Sequence, residues 1–361
     1  MNIIKKFFNI FNKQKKTNME TEIYSQFDIV FELIKKYVRK DYKINIDIPE
    51  NIKKIALFAS GSSFHSAAII ANFLRQKVHC EAQPYYASEV ALAESFDTDT
   101  DTLYIFISQS GETADTNKAL DLIRQKTDKT LAITNTKNST LYNNAKYKIL
   151  TYAGVEKAIA STKAMCAQMY CLFLIAAKIM QQKELPSMEV IDELLNVPEY
   201  IQQTLQKNDK VKQYAQSLIN YDNAAVLASG MFYPLAKEGA LKIKETAYIN
   251  TTAYPTGEFL HGHIAILNKK CAVISLVNNH NAQFTIDVLN KINSTYKTDV
   301  LIITALPLSQ LSMNNLIEIK SQSDINFLFS SLVLLQLLAY NSALLLNRNV
   351  DSPEGLQKIV K

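Results

Sequence analysis

The run "SQSGETADT", residues 108–116, follows the apolar stretch "TLYIFI" and crowds small hydroxyl and amide side chains into one short segment. Two readings fit. Ser, Gly and Thr make polar turns wherever a strand must stop. The same groups between a strand and a helix N-terminus make an anion cradle. Ser108, Gln109, Ser110 and Thr113 would supply the donors, and the helix dipole adds about 0.3–1 kcal/mol. Neither GxxxxGK[ST] nor GxGxxG occurs, which argues against a nucleoside triphosphate or a dinucleotide. The expected ligand is therefore a phosphorylated small molecule, bound without metal or cofactor.

Such a cradle has to sit on a sheet. From residue 53, strand and helix patterns alternate: "KKIALFASG", then the helical "SFHSAAIIANFLRQ", then "VHCEAQP", "TLYIFIS", "KTLAITN" and "YKILTY" as strands. Alternation of this kind predicts a parallel sheet with helices on both faces. "STKAMCAQMYCLFLIAAKIMQQ" reads as a long core helix, and "LPSMEVIDELLNVPEY" as a helical connector with two prolines. A second series follows. "NAAVLASGMFY" repeats the pattern of "KIALFASGSSF", with glycines at 61 and 230, and the long helix after 326 echoes the one after 161. The chain is thus expected to be α/β, two domains of one type. Only the first copy carries the Ser-x-Ser-Gly-x-Thr donors, since its counterpart reads "VISLVNNH". That difference favours a cradle over a plain turn, with one site per pair of domains.

Composition narrows the partners. Of 361 residues 48% are hydrophobic, enough for two ordinary domains. The net charge of +5 is carried by the first sixteen residues, "MNIIKKFFNIFNKQKK", which hold five Lys and no acid, leaving the rest at +5 − 5 = 0. A neutral body without helix-turn-helix or zinc-finger spacing argues against nucleic acid. Four scattered cysteines, Cys80, Cys166, Cys171 and Cys271, form no CxxC pair and read as buried thiols of a reducing, cytoplasmic setting. In the N-terminal segment Ile3, Ile4, Phe7, Phe8, Ile10 and Phe11 share one helical face with most lysines opposite. A weak membrane-surface contact through residues 1–16 fits this pattern. A helix docked on a partner, a disordered tail, or translation beginning at Met19 fits it too. "NFLFSSLVLLQLLAYNSALLL" is long enough to span a bilayer, but its Ser, Gln, Tyr and Asn residues predict a buried core helix.

Several runs, in order over about residues 19–361, resemble the sugar isomerase (SIS) family: "SQSGETADT", "ASTKA", "KEGALKIKETAYI", "GEFLHG" and "DSPEGLQK". The likeness is to the isomerase half of glucosamine-6-phosphate synthase and to SIS-type glucosamine-6-phosphate deaminases. "METEIYSQF" resembles the family's opening "EIxxQP", with Phe27 in place of proline. The resemblance implies two tandem SIS domains, each a flavodoxin-like parallel sheet. The expected divisions are a basic extension 1–18, a helical segment 19–50, a first SIS domain 51–185, a connector 186–215, a second SIS domain 216–347 and a tail 348–361. That tail is expected to return to the first sheet's edge.

The resemblance also implies roles. Ser108, Gln109, Ser110 and Thr113, with Ser62, would bind the sugar phosphate; Ser63 and Ser161 would contact sugar hydroxyls. Glu245 matches the base that shuttles a proton between C1 and C2, with Lys242 beside it. By residue type alone those two read as an exposed i,i+3 pair. His261 matches the histidine that opens the sugar ring, contributed by the neighbouring subunit of a homodimer with shared sites. Lys358 matches the tail lysine that reaches the open-chain carbonyl. "HGH" stands where the family has "HGP", so His263 is a departure.

The implied activity is aldose–ketose isomerisation of a phosphosugar, foremost deamination of glucosamine 6-phosphate to fructose 6-phosphate and ammonia. A glutaminase domain would bring an N-terminal Cys nucleophile, and no Cys precedes Cys80, so glutamine-driven synthesis by this chain alone is not expected. Plain ketose–aldose isomerisation, ammonia-dependent synthesis and cleavage of a fructosamine phosphate stay open. A non-catalytic sugar-phosphate sensor is the alternative of another class. It would not require Glu245, His261 and Lys358, all of which are present.

Overall fold

A computed structural model describes residues 16–267, 270–307, 315–321 and 323–358. The amphipathic extension lies almost wholly outside these residues. Two short helices open the described chain, α1 (Asn18–Tyr24) and α2 (Gln26–Tyr37). The first sheet follows as β1 (Lys54–Ala59), α3 (Gly61–Lys77), β2 (Glu81–Tyr86), α4 (Ala87–Ala91), β3 (Thr102–Ile107), α5 (Ala114–Arg124), β4 (Thr130–Thr134), α6 (Thr140–Asn144) and β5 (Tyr147–Leu150). Helix α7 (Lys163–Gln182) closes it, and α8 (Met188–Leu205) and α9 (Asn208–Leu218) lead onward. The second sheet comprises β6 (Asn223–Ala228), α10 (Phe232–Ala247), β7 (Asn250–Pro255), β8 (Cys271–Val277), α11 (Ala282–Tyr296), β9 (Val300–Thr304) and β10 (Leu316–Glu318), closed by α12 (Asp324–Leu345).

Both sheets have five strands, ordered β2-β1-β3-β4-β5 and β7-β6-β8-β9-β10, and all described pairings within them are parallel. This is the flavodoxin-like order, repeated. Central strands β3, β4, β8 and β9 are buried at every position, as parallel strands covered on both faces must be. The strand expected over "VHCEAQP" begins later, at Glu81, because α3 runs on to Lys77 and His79 adopts φ 49° where the chain turns back.

The expected connector is not a passive linker. It forms α8 and α9, and α8 continues through Pro198 with Ile191, Leu194, Val197 and Ile201 buried. One core cluster takes side chains from both sheets, α7, α8 and α12. The Phe329 ring on α12 lies 5.9 Å from Tyr170 and 6.1 Å from Phe173 on α7. Helices α7 and α12 are long and apolar enough to cross a membrane, yet 89% of each apolar window is buried within the protein. The segment after 326 is therefore a core helix, as its polar residues predict.

Helices α3 and α10 occupy matching places after β1 and β6, and they pack against one another where the two halves meet. Gly239 lets α12 approach α10 closely: a Cβ there would lie 2.8 Å from Leu335 Cδ1. The tail after α12 returns to the loop following edge strand β5 rather than pairing with the strand. Ile159 N–H donates to the Asp351 carbonyl at 3.0 Å, and the Asp351 carboxylate accepts from the backbone N–H groups of Asn18 and Met19.

Candidate active site

Strands β1 and β3 are neighbours whose onward connections diverge, so their carboxyl ends form the crevice where ligands bind in open parallel sheets. Two loops leave there. Ser60–Ser63 opens α3, and Ser108–Thr113 opens α5. Neither helix has a side-chain cap at its N-terminus, which leaves first-turn N–H groups for a ligand. The second loop is held from within. Ser108 Oγ and Thr113 Oγ1 are 2.8 Å apart, Gly111 N–H donates to Ser108 Oγ, and Glu112 N–H donates to Ser110 Oγ. Gly111 is required: its φ is 68°, and a Cβ would sit 2.0 Å from Ser139 Oγ. The Glu112 carboxylate braces the loop from outside, accepting from Thr140 N–H and Oγ.

These loops line a cleft of about 440 Å³, within the range of small-molecule sites. Ser62, Ser63, Ser108, Gln109, Ser110, Thr113 and Ser161 from the first half share it with Lys242 and Glu245 of α10 and with Lys358 of the tail. Larger surface clefts of about 840 and 670 Å³ lie elsewhere, and neither gathers such a set. Ser63 Oγ donates to Gln168 Oε1 on α7, which orients it. Lys358 Nζ is 2.6 Å from Glu156 Oε2 and 2.7 Å from the Ala158 carbonyl.

Lys242 and Glu245 are not the exposed surface pair that residue type alone suggests. The Lys242 side chain is 1% exposed and Glu245 22%, because α10 turns this face onto α3 and the cleft. Lys242 Nζ bonds Glu245 Oε2 and lies 3.5 Å from Glu238 Oε1. Burial opposes charge on both Lys242 and Glu238. Their mutual attraction prevails, holding Lys242 above the ordinary lysine range and Glu238 below the carboxylate range.

His261 is not in this cleft. It follows the 3-10 turn Glu258–Leu260, exposed on the second half, and next to it His263 stacks at a tilt on Tyr254 with ring centroids 4.6 Å apart. Sequence reasoning missed Glu156 and Glu238. Glu156 is one acid in the loop after β5, with nothing in its spacing to mark it. Glu238 had a readable signal, because Glu238, Lys242 and Glu245 at i, i+4 and i+7 fall on one helical face. The "EIxxQP"-like motif is a brace: buried Glu22 accepts from the N–H groups of Lys157 and Ala158 and so fixes the loop beneath Lys358.

Comparison with known proteins matches this architecture. The SIS domain model matches residues 50–178 and 217–346. Glutamine–fructose-6-phosphate aminotransferase [isomerizing] of Campylobacter jejuni is 31% identical over 347 residues, covering 95% of this chain and 58% of that protein. The Legionella pneumophila (strain Lens) protein of the same name is 34% identical over 317 residues, covering 86% and 51%. This chain thus spans little more than half the length of these relatives. Among solved structures, the C-terminal domain of glucosamine-fructose-6-phosphate aminotransferase from Francisella tularensis superimposes with a TM-score of 0.88 at 27% identity, covering 94% of this chain and 99% of that one. Glucosamine-6-phosphate deaminase from Thermotoga maritima shares the fold, with a TM-score of 0.76 at 20% identity over 95% and 99%. With a match over each of its two sheets, this chain belongs to the SIS domain family as a tandem, two-domain member.

Proposed function

We propose that this chain is a phosphosugar aldose–ketose isomerase whose reaction is deamination of glucosamine 6-phosphate to fructose 6-phosphate and ammonia. One observation carries the reading: the Glu245 carboxylate and the Lys358 amine, from distant parts of the chain, border the same cleft as the hydroxyl-rich loop. A phosphate seated on Ser108–Thr113 would leave the C1–C2 end of an open-chain hexose facing Glu245 and Lys358. Glu245 then takes the C2 proton as the C1 carbonyl oxygen gains one, giving an enolamine, and returns it at C1 as the amine gives up an N–H proton, so that C2 carries an imine. Water adds to that imine, and ammonia leaves as the ketone forms. Ring opening falls to a histidine, and we assign it to His261 of a second copy, since the residue lies outside its own cleft. The four cysteines are buried and none lines the cleft.

The test is release of ammonia and fructose 6-phosphate across a panel of hexosamine 6-phosphates. Production of both from glucosamine 6-phosphate supports the reading. Tight binding of the whole panel with no release would favour a sensor.

A further inference from the structure

Glu238 is almost completely buried, yet nothing in the proposed proton shuttle uses it. Its side chain is 1% exposed, on α10, one turn before Lys242. Across the boundary between the halves, His65 Nδ1 on α3 lies 2.7 Å from Glu238 Oε2. Glu238 Oε1 has no hydrogen-bond partner among the described residues and faces Lys242 Nζ at 3.5 Å. Lys242 thus sits between two carboxylates, bonded to Glu245 and flanked by Glu238.

This arrangement answers a difficulty in the chemistry. When Glu245 accepts the substrate's proton it becomes neutral. Lys242 would then be a buried ammonium without a counter-charge, which is strongly unfavourable. Glu238 keeps a negative charge beside it throughout the cycle. We propose that Glu238, clamped by His65, is a positioning residue that keeps the Lys242 ammonium charged and aimed at Glu245 while Glu245 changes protonation state. The inference rests on Glu245 being the base.

The surroundings leave this task to few groups. Helix α3 presents His65 and Ser62 to Glu238, and the loop after β5 presents Glu156, whose charge is engaged by Lys358. Helix α12 carries no ionisable side chain between Asp324 and Tyr340, β6 has none, and β7 offers only Tyr254. Glu238 and Glu245 are therefore the nearest compensation for Lys242. His65 sits on the helix that begins at the proposed phosphate loop, so the same bridge ties the ligand-binding half to the base.

The test reads Lys242 directly, by ¹³C NMR of the lysine Cε signals in the full-length chain without substrate. The Lys242 signal is the one absent from Lys242→Arg. In wild type Lys242 should titrate above the ordinary lysine value. In Glu238→Gln the midpoint should fall by about one pH unit or more, about a tenfold loss of proton affinity. Glu238→Asp, which retains the charge, should stay nearer to wild type. Glu238→Met, apolar and of similar length, should lower the midpoint in the same direction, which keeps the test open if Glu238→Gln does not fold. With glucosamine 6-phosphate, kcat of Glu238→Gln should fall with KM little changed, and its alkaline limb should move to lower pH with the Lys242 midpoint. An unchanged Lys242 midpoint in either Glu238→Gln or Glu238→Met overturns the proposal. A wild-type chain that titrates as described yet turns over no hexosamine phosphate would defeat the proposed function and leave the clamp intact.

Discussion

Lys358 Nζ reaches back from the C-terminal tail to Glu156 Oε2 at 2.6 Å, while the other Glu156 oxygen accepts from the backbone N–H groups of Thr162 and Ala164. One buried carboxylate therefore fixes both the tail and the start of α7. Removing its charge should release the first without unfolding the second. Glu156→Gln keeps an acceptor for α7 but loses the charge-assisted bond to Lys358, worth about 1.5–3 kcal/mol. Proteolysis beyond Leu346 should then quicken, and kcat should fall more than substrate affinity. A tail as resistant as wild type would show that its other anchors, Asp351 and the Ala158 carbonyl among them, hold it.

The proposed phosphate loop makes a second prediction. Ser110→Ala should weaken fructose 6-phosphate binding by about 1.5–3 kcal/mol, the size of a hydrogen bond to a charged group. Gly111→Ala should cost roughly 1–3 kcal/mol of stability through its left-handed φ, and more through the clash with Ser139. Calorimetry with fructose and fructose 6-phosphate separates the effects. Equal affinity for the two sugars would mean that the loop is not an anion cradle.

The buried pair gives a pH dependence of known sign. Burial works against ionised Glu238, but Lys242 and His65 hold its carboxyl below the ordinary value of 4.5. A depressed carboxyl contributes stability that is present above its unfolded value and lost as pH falls through the folded one. Glu238→Gln should therefore be less stable than wild type at neutral pH, by about 3–5 kcal/mol for a broken buried ion pair. The gap should narrow only below pH 4.5. Denaturant melts from pH 3 to 7 check this, and a gap independent of pH would remove the electrostatic account.

The fold was legible because parallel strands buried on both faces announce themselves as short apolar runs, and the repeat of "ASG" at 59–61 and 228–230 marked the duplication. The hydroxyl-rich loop was legible because Ser, Gly and Thr cluster within six residues. What stayed hidden depends on distant packing. Helix α10 turns Lys242 inward only because α3 and α12 cover it, so a local pattern read the pair as exposed. Glu156 gains meaning only when Lys358 arrives from the other end of the chain.

His261 lies exposed and outside its own cleft, so the proposed shared site makes an assembly prediction. Glu245→Gln and His261→Asn proteins should each be inactive alone. Mixed dimers formed by subunit exchange should regain activity, because one of their two sites has both wild-type residues. Verified mixed dimers with no recovered turnover would count against a histidine in trans.

The central claim is that Glu245 carries the proton between C2 and C1. Glu245→Gln preserves shape and hydrogen-bonding reach and removes the base, so kcat should fall by about 10²–10⁴-fold with substrate affinity little changed. The most direct measurement is exchange of the substrate's C2 hydrogen with deuterated solvent, followed by NMR on bound and turning-over sugar phosphate. Wild type should exchange it, and Glu245→Gln should bind the same substrate without exchange. Exchange at the wild-type rate in Glu245→Gln would place the base on another residue and contradict the account.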